Sequence, residues 1–323
     1  QGSKMLQNHT EGVFQFLIAF SRYCSKDLSA MDWMDEVVLE GPNEGTELVC
    51  LIHGWPDDLH MWDSLVGDLL RTGKYRCLRV TLPGFGDKTQ QQTQKVQSPV
   101  IRAPNFHEAA QLVAKVIEQK RSGEEQVTLI VHDWGSWTGV QLQRQFPGLV
   151  KRMVMMDIGP VDTLSGITMI GAGAYYQWIN QLAYLTWQYV PLVGKNVGNW
   201  IHYLQMCRFK SQSWNKAPVG QSASADYYYH HFQKDYWLQW LGRRQQTVGP
   251  PAKGEANPSC PTLFLHGKKG LGRLFKTWYE ELQKRADSDL LSIPGNHWFM
   301  LKSPEQTSAA VIEWLNLTGG GKL

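Results

Sequence analysis

The fold is decided by the stretch Thr128-Leu129-Ile130-Val131-His132-Asp133-Trp134-Gly135-Ser136. Residues 128–131 have strand-forming character, and a helix-compatible stretch runs from Ser136 through Gln145. A strand that turns sharply into a helix lifts one side chain out of the sheet. That side chain then lies beside the helix N-terminus, where backbone N–H groups favour negative charge. Here that side chain is the carboxylate of Asp133, which belongs either to a functional site or to an ordinary turn.

Two interpretations of Asp133 follow from this position. Aspartate before a helix is a common N-cap. Alternatively, a carboxylate is already ionised at neutral pH and can attack carbon without help from a base, leaving an ester on the enzyme. The neighbouring motifs favour the second interpretation.

The first of these motifs lies upstream. Leu48–Ile52 is a short apolar run that predicts a buried strand, and it leads into His53-Gly54-Trp55-Pro56. Glycine permits a tight turn and proline can hold a cis bond. Such a turn can aim the Trp55 N–H at the space above Asp133, beside the Trp134 N–H. Together these two donors would form an oxyanion hole.

The second motif lies near the end of the chain. Leu290–Ile293 predicts a late strand that leads into Pro294-Gly295-Asn296-His297-Trp298, and Pro304–Leu315 predicts a final helix. A histidine in a loop after a late strand is well placed to meet a nucleophile after an earlier one. Single histidines are often structural, so His297 depends on the other motifs for its interpretation.

Strand and helix signals alternate along most of the chain. Such alternation predicts a doubly wound, mostly parallel α/β sheet. The predicted strands outside the motifs above are Glu36–Glu40, Tyr75–Thr81, Val150–Asp157 and Thr262–His266, and the predicted helices are Leu59–Arg71, Phe106–Arg121 and Leu274–Arg285.

Strand signals vanish over residues 161–251, where aromatic residues predominate. We expect this segment to be an inserted helical cap over the strand ends, where ligands bind in open α/β sheets. Residues 31–160 and 252–323 are then the core, and 1–30 an N-terminal extension that starts with a tag scar, Gln1-Gly2-Ser3.

Val13–Phe20 is apolar but too short to span a bilayer. This segment can pack on the core or lie on a membrane surface, and we expect packing because no basic face accompanies it.

Composition excludes several classes of function. A net charge of +3 without a basic stripe argues against nucleic acid as a partner. The five cysteines lack metal-binding spacing and predict reduced thiols and no metal site, in a cytoplasmic protein. The terminal Gly321-Lys322-Leu323 differs by one residue from a peroxisomal signal, which leaves a peroxisome-like organelle as the alternative. Membrane association is not expected, and the sequence does not indicate an oligomeric state.

Taken together, the motifs resemble the α/β-hydrolase fold family, specifically its epoxide hydrolase and haloalkane dehalogenase branch. The matches run in order from about residue 35 to residue 315. They are His53-Gly54-Trp55-Pro56 (HGxP), Leu82-Pro83-Gly84-Phe85-Gly86 (LPGFG), His132-Asp133-Trp134-Gly135 (the elbow of epoxide hydrolases) and Asn296-His297-Trp298 (the histidine loop). Each motif alone is weak, but the ordered set is specific.

The resemblance implies an enzyme that opens a small apolar epoxide to a diol through an ester on Asp133, without a metal or organic cofactor. His297 would activate water, and Trp55 and Trp134 would form the oxyanion hole. Tyr176 and Tyr229 would donate hydrogen bonds to the epoxide oxygen, with Tyr228 as an alternative for the second. The residues expected to bind substrate are His53, Pro56 and Trp298. Two rival functions are a haloalkane dehalogenase-type hydrolase and a non-catalytic ligand-binding homologue.

Three positions depart from the family pattern. Val131 stands where the elbow usually has glycine, and Thr81 replaces the aspartate that commonly precedes LPGFG. Gly270 occupies the position at which the family often has its catalytic acid. We expect Asp157, at the end of the strand after the elbow helix, to supply this acid, as in some haloalkane dehalogenases. The alternative is that Asp157 only caps the turn at 158–160.

Overall fold

The computed structural model describes residues 34, 36–42, 46–83, 85, 106–160, 174–209 and 258–319. Its strands are β1 (Glu36–Glu40), β2 (Glu47–Ile52), β3 (Tyr75–Thr81), β4 (Val127–His132), β5 (Val150–Met156), β6 (Thr262–Gly267) and β7 (Asp289–Ile293). Its α-helices are α1 (Asp63–Arg71), α2 (Phe106–Lys120), α3 (Trp134–Gln145), α4 (Ala174–Tyr189), α5 (Gly194–Phe209), α6 (Lys276–Leu282), α7 (Phe299–Lys302) and α8 (Pro304–Gly319).

The strands of the described residues form one sheet in the order β1-β3-β2-β4-β5-β6-β7. Strand β1 pairs antiparallel with β3, and every other neighbouring pair is parallel. The predicted mostly parallel α/β sheet is therefore confirmed. The elbow strand β4 lies in the middle of this sheet, between β2 and β5.

Apolar side chains fill both faces of the sheet. Successive residues of β2 and β4 point to opposite faces, so Leu129 and Val131 join one buried cluster while Ile130 joins the other. Helices α2 and α3 cover the first face, and α1 and α8 cover the second. Burial on both faces explains why the central strands are continuous apolar runs.

Two of the predicted helices begin with a 3-10 turn in the structure. The helix predicted from Leu59 begins as a 3-10 turn over Leu59–Trp62, which Asp58 caps by accepting a hydrogen bond from the His60 N–H at 2.8 Å. The helix predicted over 274–285 is a 3-10 turn, Leu271–Phe275, followed by the short α6. Beyond the end of α6, the guanidinium of Arg285 donates to the carbonyl oxygens of Pro258 and Cys260.

Helices α4 and α5 form a hairpin between β5 and β6, in the segment predicted to be a helical cap. The domain boundaries at 161 and 251 lie outside the described residues and stay a prediction. In the described part of the chain, no helix is long and apolar enough to cross a membrane.

The departure at Val131 is accommodated by a glycine on the next helix. A Cβ atom at Gly139 of α3 would lie only 2.8 Å from Val131 Cγ1. Gly139 therefore leaves the space that the larger elbow residue fills, so that α3 can pack closely on β4. The larger side chain on the strand is thus matched by a glycine, which has no side chain, on the helix that packs against it.

Gly139→Ala should lower the free energy of unfolding by about 1–3 kcal/mol, because a methyl group would be forced into a packed core. Val131→Ala removes the Cγ atom that this methyl group would meet. The double variant should therefore be more stable than the sum of the two single changes predicts. Urea denaturation of the four proteins measures this coupling.

Gly67→Ala is the matched control, because Gly67 also lies within a helix but an added Cβ would meet only the end of Arg71, at 3.7 Å. It should not destabilise the protein and should add up to about 1 kcal/mol through helix propensity. If Gly139→Ala were as stable as the unchanged protein, the proposed packing of α3 on Val131 would be wrong.

Candidate active site

The candidate site forms at the carboxyl ends of the parallel strands. Asp133 directly follows β4, Asp157 directly follows β5, and His297 lies in the loop after β7. The carboxyl ends of parallel strands meet at one edge of the sheet, which is where ligands bind in such folds. The sheet thus brings three residues that are distant in sequence to one place.

Asp133 has a backbone conformation that is unusual for a residue other than glycine, with φ 51° and ψ −118°. Such a conformation costs on the order of 1–3 kcal/mol and persists only where the surroundings enforce it. Helix α3 begins at the next residue, yet the Asp133 side chain makes no capping hydrogen bond to it. Instead, Asp133 Oδ2 accepts from the Trp55 N–H at 2.9 Å. The geometry therefore disfavours the N-cap interpretation.

Two glycines make this elbow possible. A Cβ atom at Gly54 would overlap the side chain of Asp133, and one at Gly135 would overlap the carbonyl oxygen of Ile52. Without these side chains, the turn after β2 and the start of α3 can approach each other closely. The Trp55 N–H consequently reaches the carboxylate. The Trp55–Pro56 peptide bond is cis.

His297 lies between the two carboxylates. Its Nδ1 atom is 2.7 Å from Asp157 Oδ2, and its Nε2 atom is 3.5 Å from Asp133 Oδ1. The second distance is too long for a good hydrogen bond but keeps the two groups in ionic contact. Asp157 thus fixes the orientation of the ring and leaves Nε2 facing Asp133.

The two carboxylates control the charge of His297. Burial alone would lower the pKa of His297, but the ionic contact with Asp133 and the hydrogen bond and attraction to Asp157 raise it to about 10. Burial raises the pKa of Asp133, but His297 and the Trp134 N–H outweigh it, so the pKa lies below its ordinary value. The pKa of Asp157 is lowered in the same way, by His297 and by backbone N–H groups, against the opposing effect of burial. The free protein therefore holds an imidazolium between two carboxylates at neutral pH.

Gly270, the departure at the usual acid position, faces the carboxylate of Asp157. A Cβ atom at Gly270 would overlap the Asp157 side chain, so the glycine leaves space for that carboxylate. Asp157 Oδ1 accepts from the Gly267 N–H at 3.0 Å, and Oδ2 accepts from the Leu271 N–H at 2.7 Å. The Asp157 carboxylate thus connects the end of β5 to the end of β6 and to the turn that follows it. This arrangement favours the predicted acid over a local cap of the turn at 158–160.

The sequence interpretation missed two residues that position the histidine loop. His132 is buried, and its Nε2–H donates to the carbonyl oxygen of His297 at 3.1 Å. Burial and the nearby His297 charge lower the pKa of His132 to about 3, so its ring is neutral. Asp57 Oδ2 accepts from the Trp298 indole N–H at 2.9 Å. His132 lies within the elbow motif and Asp57 directly follows His53-Gly54-Trp55-Pro56, so a polar residue in or next to a motif was the available signal.

Two of the three residues predicted to bind substrate have buried rings with hydrogen-bond partners inside the protein. His53 is fully buried: its Nδ1–H donates to the Gly54 carbonyl oxygen, and its Nε2 accepts from the Leu82 N–H. The side chain of Trp298 packs in the core and donates to Asp57. Their rings therefore hold the turns in place, and their role as substrate contacts stays a prediction. Pro56 is buried beside the elbow, and its role as a substrate contact remains a prediction.

The predicted tyrosines are not brought to the site by the described residues. Tyr176 falls within α4, but the structure does not describe its side chain. Tyr228 and Tyr229 lie outside the described residues. One described contact from this region is the ring of His202 on α5, which lies edge-on to Trp55 at 6.1 Å between centroids. Trp55 in turn stacks on Trp134 at 6.5 Å.

Comparison with known proteins identifies the family of this chain. A family model described as the alpha/beta hydrolase fold matches residues 47–304. The chain belongs to the α/β-hydrolase fold family. The match includes the elbow strand, both carboxylates and the histidine loop.

Individual relatives of this α/β-hydrolase include two enzyme types. A fluoroacetate dehalogenase from Burkholderia sp. is 24% identical over 283 residues, which cover 82% of this chain and 86% of the relative. An epoxide hydrolase from Neurospora crassa is 32% identical over 109 residues, which cover 33% of this chain and 29% of the relative. The solved structure of an epoxide hydrolase from Vigna radiata shares the fold, with a TM-score of 0.58 and 17% identity, over 87% of this chain and 93% of that one.

Asp157→Asn should lower the pKa of His297 by at least about one unit, because one of the two carboxylates that stabilise the imidazolium loses its charge. Histidine ring NMR of ¹⁵N-labelled protein, titrated from neutral to alkaline pH, measures this shift. The spectrum of His297→Gln identifies the signal among the ten histidines.

Asp68→Asn is the matched control, since Asp68 is a partly exposed carboxylate on α1 that pairs with Arg71. It should leave the His297 titration unchanged. An Asp157→Asn protein whose His297 titrates as before would show that Asp157 does not hold the charge of this ring.

Proposed function

We propose that the protein is a hydrolase that opens a small apolar epoxide to a diol through an ester on Asp133. One observation carries the proposal: the Asp133 carboxylate lies at a strained elbow, bonded by backbone N–H groups on one side and facing His297 on the other. A serine-type mechanism needs a hydroxyl at this position, and Asp133 supplies a carboxylate.

In the first step, Asp133 Oδ1 attacks an epoxide carbon. Oδ2 is held by the Trp55 N–H, which leaves Oδ1 as the oxygen free to react. As the new C–O bond forms, the epoxide C–O bond breaks and its electron pair passes to the epoxide oxygen. Tyr176 and Tyr229 are proposed to donate hydrogen bonds to that oxygen, which then takes a proton.

In the second step, His297 acts as a base for water. An imidazolium with a pKa of about 10 cannot accept a proton at neutral pH. Ester formation removes the charge of Asp133, however, and so removes one of the two interactions that raise this pKa. We propose that His297 then loses its proton to the product alkoxide or to solvent, while Asp157 keeps the ring oriented.

Water then gives a proton to His297 and adds to the ester carbonyl carbon. The oxyanion forms on Asp133 Oδ2, where the N–H groups of Trp55 and Trp134 stabilise it. The acyl C–O bond breaks, the leaving alcohol takes the proton from His297, and the diol departs. Asp133 is left as a carboxylic acid that carries one oxygen from water, and it gives its proton to His297, which restores the carboxylate and the imidazolium.

A dehalogenase is the second candidate, because the fluoroacetate dehalogenase matches a larger share of this chain than the epoxide hydrolase does. It would use the same Asp133 with a halide as leaving group. Trp55 stands where many dehalogenases of the branch have Asn, and the segment 161–251 is rich in tyrosine. Both features favour an epoxide over a haloalkane as the substrate. Release of bromide from a bromoalkane distinguishes the two reactions.

His297→Gln should trap the ester, because the variant keeps the nucleophile and loses the base for the second step. After incubation with aryl and alkyl epoxides, mass spectrometry should find the mass of one epoxide on the peptide that carries Asp133. In heavy-oxygen water, a single turnover of the unchanged enzyme should place label in Asp133.

Asp133→Ala is the control and should gain no mass. Label that appears only in the diol during the first turnover would refute the nucleophile assignment. Neither turnover nor covalent mass with epoxides or bromoalkanes would instead favour a non-catalytic ligand-binding homologue.

Tyr176→Phe and Tyr229→Phe should each slow formation of the ester by about 10- to 100-fold, because each removes one donor to the developing oxyanion. Hydrolysis of the ester should be little changed. Rapid-quench measurement of the two steps separates these effects. An unchanged rate of ester formation would identify the tyrosine concerned as a packing residue, and Tyr228→Phe then tests the alternative.

The cellular location is also a proposal. Cys50, Cys77 and Cys260 are free, buried thiols whose pKa values are raised by burial. Buried reduced thiols fit a reducing compartment such as the cytoplasm.

A further inference from the structure

The inner side of the α4–α5 hairpin carries a buried polar pair. Asn180 of α4 is fully buried, and His202 of α5 is 2% exposed. The Nδ1 atom of His202 lies 3.2 Å from Asn180 Oδ1. Burial lowers the pKa of His202 to about 4, so the ring is neutral at neutral pH and its Nδ1–H donates to the amide oxygen. One neutral hydrogen bond therefore fixes the orientation of the Asn180 amide.

The hydrogen bond to His202 uses only the oxygen of this amide. Asn180 Nδ2 carries two N–H donors, and among the residues that the structure describes it has no hydrogen-bond partner. Buried donors are rarely left in this state, because they give up their hydrogen bonds to water without replacement. A leucine would fill a similar volume without this cost. The amide nitrogen is thus a buried donor that a bound molecule can use.

The packing of the two helices places this pair at the end of the hairpin that lies against the site. A Cβ atom at Gly198 would overlap the backbone of Ala183, so α4 and α5 pack closely there. Asn180 lies about one turn before Ala183, and His202 lies about one turn after Gly198. Both residues therefore continue the same line of contact, away from the exposed tip of the hairpin at 190–193.

The pair contacts the turn that holds the nucleophile. The ring of His202 lies edge-on to the Trp55 ring, with 6.1 Å between centroids, and the Trp55 N–H donates to Asp133 Oδ2 at 2.9 Å. Position 176, proposed for a donor to the epoxide oxygen, lies one turn before Asn180 on the same side of α4. A substrate that reacts with Asp133 and extends under α4 therefore passes the Asn180 amide.

The charge of the site decides which acceptor suits this donor. Asp133 and Asp157 contribute two negative charges and the imidazolium of His297 one positive charge, which leaves a net charge of −1. A further anionic group would be repelled by this charge, and a neutral amide would not compensate its lost hydration. An uncharged ether, hydroxyl or carbonyl oxygen costs far less to bury and accepts the same hydrogen bond.

We propose that Asn180, oriented by His202, determines specificity by donating a hydrogen bond to a second, uncharged oxygen of the substrate. The preferred substrates are then epoxides that are apolar apart from one ether, hydroxyl or carbonyl oxygen close to the epoxide ring. This inference rests on the proposed function and narrows its substrate class. Asn180 takes no part in bond breaking, since Asp133 forms the ester while the amide fixes the position of the chain that carries the second oxygen.

Two epoxides that differ in one position test the inference. Phenyl glycidyl ether carries the second oxygen, and its carbon analogue has a CH2 group in place of the ether oxygen. The ratio of kcat/KM for the ether to kcat/KM for the carbon analogue should fall about three- to tenfold in Asn180→Leu, which removes the donor. Comparing ratios cancels the different intrinsic reactivities of the two epoxides. A merely structural role of Asn180 would slow both substrates alike.

Asn196→Leu is the matched control, since Asn196 lies on the same hairpin but is exposed. It should leave the ratio unchanged. His202→Phe keeps the amide and removes the hydrogen bond that orients it, so the ratio should fall in part. An unchanged ratio in Asn180→Leu, with both epoxides still hydrolysed, would overturn the inference and leave the proposed function intact.

Binding of the diol products gives a measurement that needs no turnover. In protein labelled with ¹⁵N-asparagine, the diol of the ether should shift the side-chain amide signal of Asn180, which is identified by its loss in Asn180→Leu. The diol of the carbon analogue should bind about three- to tenfold more weakly. This preference without epoxide turnover would support the donor role of Asn180 and refute the proposed reaction. Equal binding of the two diols, or binding of neither, would overturn the inference.

Discussion

One imidazole shared by two buried carboxylates is the interaction on which the site depends. Taking a charge out of water costs several kcal/mol per ion even after the protein relaxes, so His297, Asp133 and Asp157 must compensate one another. Opposite charges alone do not satisfy all the carboxylate oxygens, and backbone donors supply the remaining hydrogen bonds. These donors are the N–H groups of Trp55, Trp134, Gly267 and Leu271. A parallel sheet that gathers its carboxyl ends at one edge brings all of these groups together.

The same arrangement requires side chains to be missing at particular places. The backbone can approach Asp133 only because residues 54 and 135 are glycines, and the Asp157 carboxylate fits only because residue 270 is a glycine. In this chain, the carboxylate of Asp157 can reach the His297 ring from the end of β5 because Gly270 has no side chain in its way. Val131 and Gly139 show the same exchange of volume under the elbow, where a larger residue on the strand is matched by a glycine on the helix.

The α4–α5 hairpin connects the site with the outer surface. Its inner face contacts the turn after β2 through His202 and Trp55, while its outer face carries exposed apolar side chains. Burial lowers the pKa of His202 to about 4, so its ring is neutral where it packs on the indole. A neutral contact at this point adds no charge near the imidazolium of His297.

By itself the sequence determined the succession of strands and helices along the chain, the mostly parallel sheet and the elbow at Asp133. These features depend on hydrophobic periodicity and turn chemistry, which act over a few residues and can be read locally. Only the tertiary structure decided that Asp157 meets His297, because that contact joins residues 140 positions apart. It also decided that the rings of His53 and Trp298 hold the turns, since the partners of a buried polar group depend on how distant loops pack.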